Sequence, residues 1–172
     1  NTLDVDADDI LKYHKKSESL QEALSRQVDM SSFSVNEKII ASIIIDCVND
    51  NGYLTEDLKD IFIQANREIE VSFQEIFYVL HTLQRFDPIG TCAIDLYDSL
   101  SIQLDHSYRE SPLYEKATDI IQYLKKIDNS KFSNILSKLN KSSHFDENAL
   151  ELIKKLNPKP GLEVSKKLDT YH

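Results

Sequence analysis

"SVNEKIIASIIIDCVNDNG", residues 34–52, admits two readings. Its centre, Ile43 to Val48, has the composition of a buried strand, and Asn51-Gly52 is a favoured hairpin dipeptide. Its length and its ends favour a helix. Ser34 with Glu37 three residues on is a capping box, in which each side chain satisfies a backbone N–H that a helix start leaves unpaired. Ile39, Ile40, Ile43, Ile44, Cys47 and Val48 recur at three- and four-residue steps, a broad apolar stripe. Gly52 suits the left-handed position beyond a helix end, and no alternating run flanks Asn51-Gly52 to build a hairpin. The whole chain of 172 residues holds 3 Gly and 4 Pro, little turn material for a sheet sandwich. The expected fold is all-α.

The same periodicity organises the flanks. "NTLDVDADD" is acidic and aperiodic, so residues 1–18 read as a linker or tail. A helix follows from Ser19, with Leu20, Ala23, Leu24 and Val28 on one face. "YLTEDLKDIFIQAN" gives a second short helix with Thr55 as its cap, and "REIEVSF" a brief extended connector. Ser72 and Glu75 form another capping box, opening a helix that runs to Phe86. Beyond it Thr91 is expected to cap a helix whose inner face carries Ile94, Leu96, Leu100 and Leu104. "DHSYRESP", residues 105–112, is polar and turn-prone, and the subdomain boundary is placed there. Ser111-Pro112 opens a helix through Ala117, Ile120, Ile121 and Leu124. A short helix over Phe132, Ile135, Leu136 and Leu139 and a last one over Leu150, Ile153 and Leu156 follow, stopped by "NPKPG". The expected organisation is a helical bundle over 19–107, a smaller helix-turn-helix-like three-helix unit over 108–161, and a linker over 162–172. Two stretches look alike: "LTEDLKDIF…VSFQEIFYVLHTLQRFDPIG" and "FSNILSKL…FDENALELIKKLNPKPG" each run short helix, loop, capped helix, Asp/Asn-Pro, then Gly.

"LQRFDPIGTCAIDLYDSLSIQL", residues 83–104, is the join that bears on function. Proline biases the residue before it out of the helical region and has no N–H of its own. Gly90 then permits angles that other residues resist. No lysine follows Gly90, and the glycine spacing of a phosphate cradle is absent, so this is a corner between helices rather than a nucleotide loop.

Composition narrows the function classes. An apolar share of 41% supports a packed interior. No stretch approaches the roughly 20 apolar residues of a membrane span, and no signal peptide is visible, so a cytoplasmic protein is expected. The chain starts at Asn1, which suggests a piece of a longer protein. Cys47 and Cys92 lie within apolar helical patterns and read as reduced, buried hydrophobes. His14, His81, His106, His144 and His172 lack metal spacing, and no nucleophile–base grouping is present, so no cofactor, metal or catalytic residue is expected. The net charge of −9 is unevenly spread. Residues 1–124 hold 10 Lys/Arg and 23 Asp/Glu, and residues 125–172 hold 10 Lys and 6 Asp/Glu. An acidic half of that kind repels phosphate backbones, so uniform wrapping of nucleic acid is not expected.

Phe86-Asp87-Pro88-x-Gly90, then Ala93, Asp95-Leu96 and Leu100-x-x-Gln103-Leu104, resembles the "FDPxGVxARxLxECLxLQL" signature of the core-binding domain of bacterial sigma-54 transcription factors. "SLQEALSRQV" is similar to that family's opening helix, "IIASIIIDCVNDNGYLT" to its "AxxIIDxLDDdGYL" segment, and "ELIKKLNPKPG", with Pro158, Pro160 and Gly161, to its closing "LIxxLxPxPG". The resemblance covers residues 19 to 161. The sequence departs from the signature at Thr91, Ile94 and Ser99, where Val, Arg and Cys are usual. The resemblance implies a noncatalytic protein that binds core RNA polymerase, chiefly its two largest subunits, to form a holoenzyme that waits at the promoter for an ATP-driven activator. Promoter DNA and the activator are then met by regions absent from this chain.

Two other readings stand beside that one. The basic second half has a helix-turn-helix pattern, in which Lys131, Lys138, Lys141, Lys154, Lys155 and Lys159 would reach phosphates. Against it, the second helix opens with Asp146-Glu147, where a recognition helix meets DNA. An unrelated helical adaptor is the other. Tyr97, Tyr108, Tyr114 and Arg109, read as exposed, are candidate partner contacts, together with Lys154 and Lys155.

Overall fold

In the computed structural model, residues 18–127 and 145–164 are described. They contain seven α-helices and no strand: α1 Leu20–Asp29, α2 Val35–Asp46, α3 Leu58–Glu68, α4 Phe73–Leu83, α5 Leu96–Tyr108, α6 Tyr114–Ile127 and α7 Glu147–Lys154. A single 3₁₀ turn, Pro160–Leu162, follows. The all-α expectation holds. The short helix expected over Phe132–Leu139, and Lys131, Lys138 and Lys141 with it, lie outside the described residues.

The stretch from Ser34 is helical for the reason its ends suggest. Ser34 Oγ accepts from the Glu37 N–H at 3.2 Å, and Glu37 Oε1 accepts from the Ser34 N–H at 2.7 Å. Ser34→Ala is expected to cost about 1 kcal/mol, read as a lower urea midpoint at unchanged slope. Ile40, Ala41, Ile43, Ile44 and Ile45 are all buried, so α2 is nearly apolar all round and forms the centre of its core.

Four details differ from expectation. α2 stops at Asp46, and Gly52 (φ +103°) serves a turn beyond it. In that turn Asn49 Oδ1 accepts from the N–H groups of Asn51 and Tyr53, and one antiparallel bridge pairs Val48 with Leu54. Thr55 does not cap α3; its N–H and hydroxyl both donate to the Cys47 carbonyl, and Asp57 takes the N-cap position. Thr91 is fully buried and α5 is capped instead by Asp95, whose carboxylate accepts from the Asp98 N–H at 2.8 Å. Ile94 precedes that helix and is 56% exposed rather than inward.

The chain divides into two compact units, one running to Cys92 and resuming at Lys159, the other Ala93–Pro158. The first unit packs α1–α4 around Leu24, Ile40, Ile44, Ile61, Ile76, Leu80 and Leu83, and Val164 joins that same core. The second packs α5, α6 and α7 around Leu100, Leu104, Ile120, Ile121, Leu124 and Ile153. The sequence alone draws the division after residue 107, whereas packing draws it at Cys92. Periodicity shows that α5 has an apolar face but not whose core that face joins.

Candidate functional site

The motif residues are built into two closures of the same chemistry. In the first unit the Asp87-Pro88 peptide is cis, Pro88 is buried, and Phe86 packs on the core with its ring 6.1 Å from that of Phe33. Gly90 (φ +88°) turns the chain so that its N–H reaches the Gln84 carbonyl at 3.0 Å. Cys92 holds φ +62°, an angle uncommon outside glycine. Its carbonyl is fixed there by the buried Gln84 amide, which donates at 3.1 Å. Across the corner, Gln27 on α1 grips the Asp87 backbone at both ends. Its Nε2 donates to the Asp87 carbonyl at 2.6 Å, and its Oε1 accepts from the Asp87 N–H at 2.8 Å.

The second unit repeats this grip. Gln103 on α5 donates to the Asn157 carbonyl at 2.8 Å and accepts from the Asn157 N–H at 2.8 Å. Asn157, like Asp87, directly precedes a proline, here Pro158. The helices that carry the two glutamines correspond as well: "SLQEALSRQV" and "DLYDSLSIQL" align without a gap, with a capping Ser19 or Asp95 ahead of each. The pair-wise resemblance read from the sequence therefore extends one helix further towards the N-terminus, to α1 and α5. Comparing the two Leu-x-x-x-Leu-Ser-x-Gln stretches shows the signal directly.

After Asn157 the chain returns to the first unit. Pro160 and Gly161 are buried, and the Gly161 N–H donates to the Asn51 carbonyl at 3.0 Å, beside the Gly52 turn. Ala93 is fully buried, as are Leu100 and, to within 1%, Leu104; Leu96 packs on the edge of the second core. Pro158 is exposed.

The candidate partner contacts scatter. Tyr97 is 5% exposed and belongs to the second core, which corrects its reading as an exposed residue: its position on α5 lies on the inner face with Leu100 and Leu104. Tyr108 and Tyr114 are half-buried against that core. The Tyr114 hydroxyl donates to Asp105 at 3.0 Å, and exposed Arg109 pairs with the same carboxylate at 3.0 Å. Lys154 and Lys155 are exposed, and Lys154 pairs with Glu151 one turn earlier at 3.1 Å. At the start of α7, Asp146 accepts from Asn148 and Ala149 N–H groups and from Lys116 at 3.1 Å. The Lys116 hydrogen bond, ahead of the backbone ones, holds this carboxyl below its ordinary value.

Cys47 and Cys92 are free thiols, both buried. Burial pushes Cys92 up to about 12 and, with nearby Glu56 and Asp46, also raises Cys47. The unfolded chain therefore releases the Cys92 proton first, so its contribution to stability is intact below the ordinary thiol value of 9.0 and is lost as pH rises towards about 12. At pH 8 native Cys92 is expected to resist a thiol reagent until the unit opens, whereas both thiols react at once in guanidinium. Stopped-flow labelling checks this. Among the described residues no group of three His, Cys, Asp or Glu side chains is placed to hold a metal ion, and no helix is long and apolar enough to cross a membrane.

Together these features define an all-helical chain of two compact units. Residues 9–172 match the family model of the sigma-54 factor core binding domain, and the chain belongs to that family. It is 36% identical over 148 residues to the RNA polymerase sigma-54 factor of Salmonella typhimurium, covering 86% of this chain and 31% of that protein. It is 36% identical over 165 residues to that of Shewanella violacea, covering 95% and 33%. The factor of Escherichia coli is also 36% identical, over 148 residues, covering 86% and 31%. The chain thus spans about a third of the length of these relatives.

Proposed function

We propose that this chain is a noncatalytic docking module that grips core RNA polymerase, chiefly its two largest subunits, in the bacterial cytoplasm. The holoenzyme so formed would wait at a promoter for an ATP-driven activator. Promoter DNA and the activator are assigned to sequence other than these 172 residues. The observation that carries the reading is the family match across residues 9–172, supported by the Gln27–Asp87 and Gln103–Asn157 grips that brace each helical unit. A preorganised surface binds without a further ordering cost, which is what a docking module requires. Tyr108, Tyr114, Arg109, Lys154 and Lys155 remain proposed rim contacts on the second unit. Phe86, Asp87, Pro88, Gly90, Gln103, Pro158, Pro160 and Gly161 are proposed to act through architecture rather than by touching the partner.

The helix-turn-helix reading is disfavoured at α7, whose N-terminus presents Asp146 and Glu147 where phosphates would lie. The test is retention of core RNA polymerase by the immobilised chain with no DNA present. Retention is the expected result. A chain that keeps duplex DNA at physiological salt but releases polymerase would reverse the two readings.

A further inference from the structure

α4, "FQEIFYVLHTL", buries one apolar face and carries three further aromatic side chains outside it. Only one side is covered. Ile76, Val79, Leu80 and Leu83 are buried to 1% or less, whereas Phe73 is 39% exposed, Phe77 40% and Tyr78 56%. With half-buried Phe62 these rings form a ladder. Phe62 of α3 stacks on Phe73 at 4.3 Å, Phe73 lies 6.0 Å from Phe77, and Phe77 stacks on exposed His81 at 6.0 Å. Ile63, the next residue on α3, is 44% exposed. Exposed aromatic rings gathered in this way are the side chains that most often anchor a protein partner.

Charge selects the occupant. Residues 18–92 hold 13 Asp/Glu and 5 Lys/Arg, a net of −8. That field repels nucleic acid, an anionic membrane and a second copy of the same face. It attracts a cationic segment, and the exposed ring faces bind guanidinium and ammonium groups directly. We propose that the Phe62–Phe73–Phe77–His81 ladder is the docking surface for a basic segment of a protein partner, one that brings Arg or Lys side chains onto the rings. Resting on the reading above, that segment belongs to core RNA polymerase.

The experiment compares the full chain with Phe73→Ser/Phe77→Ser and Phe73→Leu/Phe77→Leu for affinity to core RNA polymerase, with helix content and thermal midpoint measured alongside. The serine pair is expected to weaken binding about 10- to 100-fold. The leucine pair, which keeps apolar area but loses the π face, falls between. Unchanged affinity of the serine pair overturns the ladder and leaves the polymerase reading in place. A wild-type chain that does not bind polymerase overturns both. A photo-crosslinking phenylalanine analogue at position 77 decides the matter should the serine pair unfold: a crosslink to a Lys/Arg-rich polymerase peptide supports the proposal. A crosslink to an acidic peptide or to another copy of the chain, or none to polymerase, overturns it.

Discussion

Gly161→Ala is expected to destabilise the first unit by about 2–4 kcal/mol, because the added methyl has nowhere to go. A Cβ at this position would stand 2.3 Å from the Asp50 carbonyl oxygen and 2.7 Å from both the Asn51 carbonyl carbon and the Gly52 nitrogen. All three are backbone atoms of a turn already fixed by Asn49, so none can swing aside as a side-chain tip would. Relief requires the segment to lift, which breaks the hydrogen bond from Gly161 to Asn51 and draws Val164 out of the core. The effect is steric and not conformational, in contrast to Gly52, whose φ of +103° also resists a side chain. Urea unfolding followed by far-UV circular dichroism should show the lower midpoint. Amide exchange should quicken first at Gly161 and Leu162, whose N–H groups donate to Asn51 and Lys159. Wild-type exchange rates there, with an unchanged midpoint, would mean that the backbone accommodates the methyl and that this closure contributes little.

What the sequence discloses and what it hides separate along one physical line. Capping by Ser34 with Glu37 depends on residues three positions apart, and local spacing reports it; at Ser72 the hydroxyl accepts from the Glu75 N–H without the return bond of a full box. Apolar periodicity likewise places Leu24, Ile40, Ile76, Leu104 and Ile121 inside. Long-range seating is different. Nothing beside Gly161 announces that Asp50 and Asn51 press on it, because those atoms are brought there by the fold. A tyrosine one step from a leucine suits either face, so the sequence leaves Tyr97 open to a surface reading; its burial is decided by α6 and α7 packing around α5. Thr91 carries a good cap side chain, but the left-handed backbone at Cys92 delays the helix until Asp95, which takes the cap and leaves Ile94 outside. Periodicity names the inner face of α4 but not the ladder, because Phe62 and Phe73 meet only when α3 and α4 pack.

Gln103→Leu is expected to cost more than Gln27→Leu, about 2–4 kcal/mol against about 1, although the two grips use the same atoms. The difference lies in water. Gln103 is 8% exposed, and besides Asn157 its amide also donates to the hydroxyl of fully buried Ser99 at 3.0 Å. Leucine matches it closely in size but removes both bonds to half-buried Asn157 and the bond to buried Ser99, where water replaces them less readily than at an exposed rim. Gln27 is half-buried and the Asp87 groups it holds are at the exposed rim, so solvent substitutes for the lost amide. Gln103→Glu sharpens the test. A carboxylate still accepts from the Asn157 N–H but faces its carbonyl oxygen without a proton to offer, so the variant should recover on acidification, when the protonated acid can donate again. Denaturant midpoints of the three variants at pH 7 and pH 5 decide it. Equal losses at Gln27 and Gln103, with no recovery of Gln103→Glu, would show that the grips report the backbone path rather than hold it.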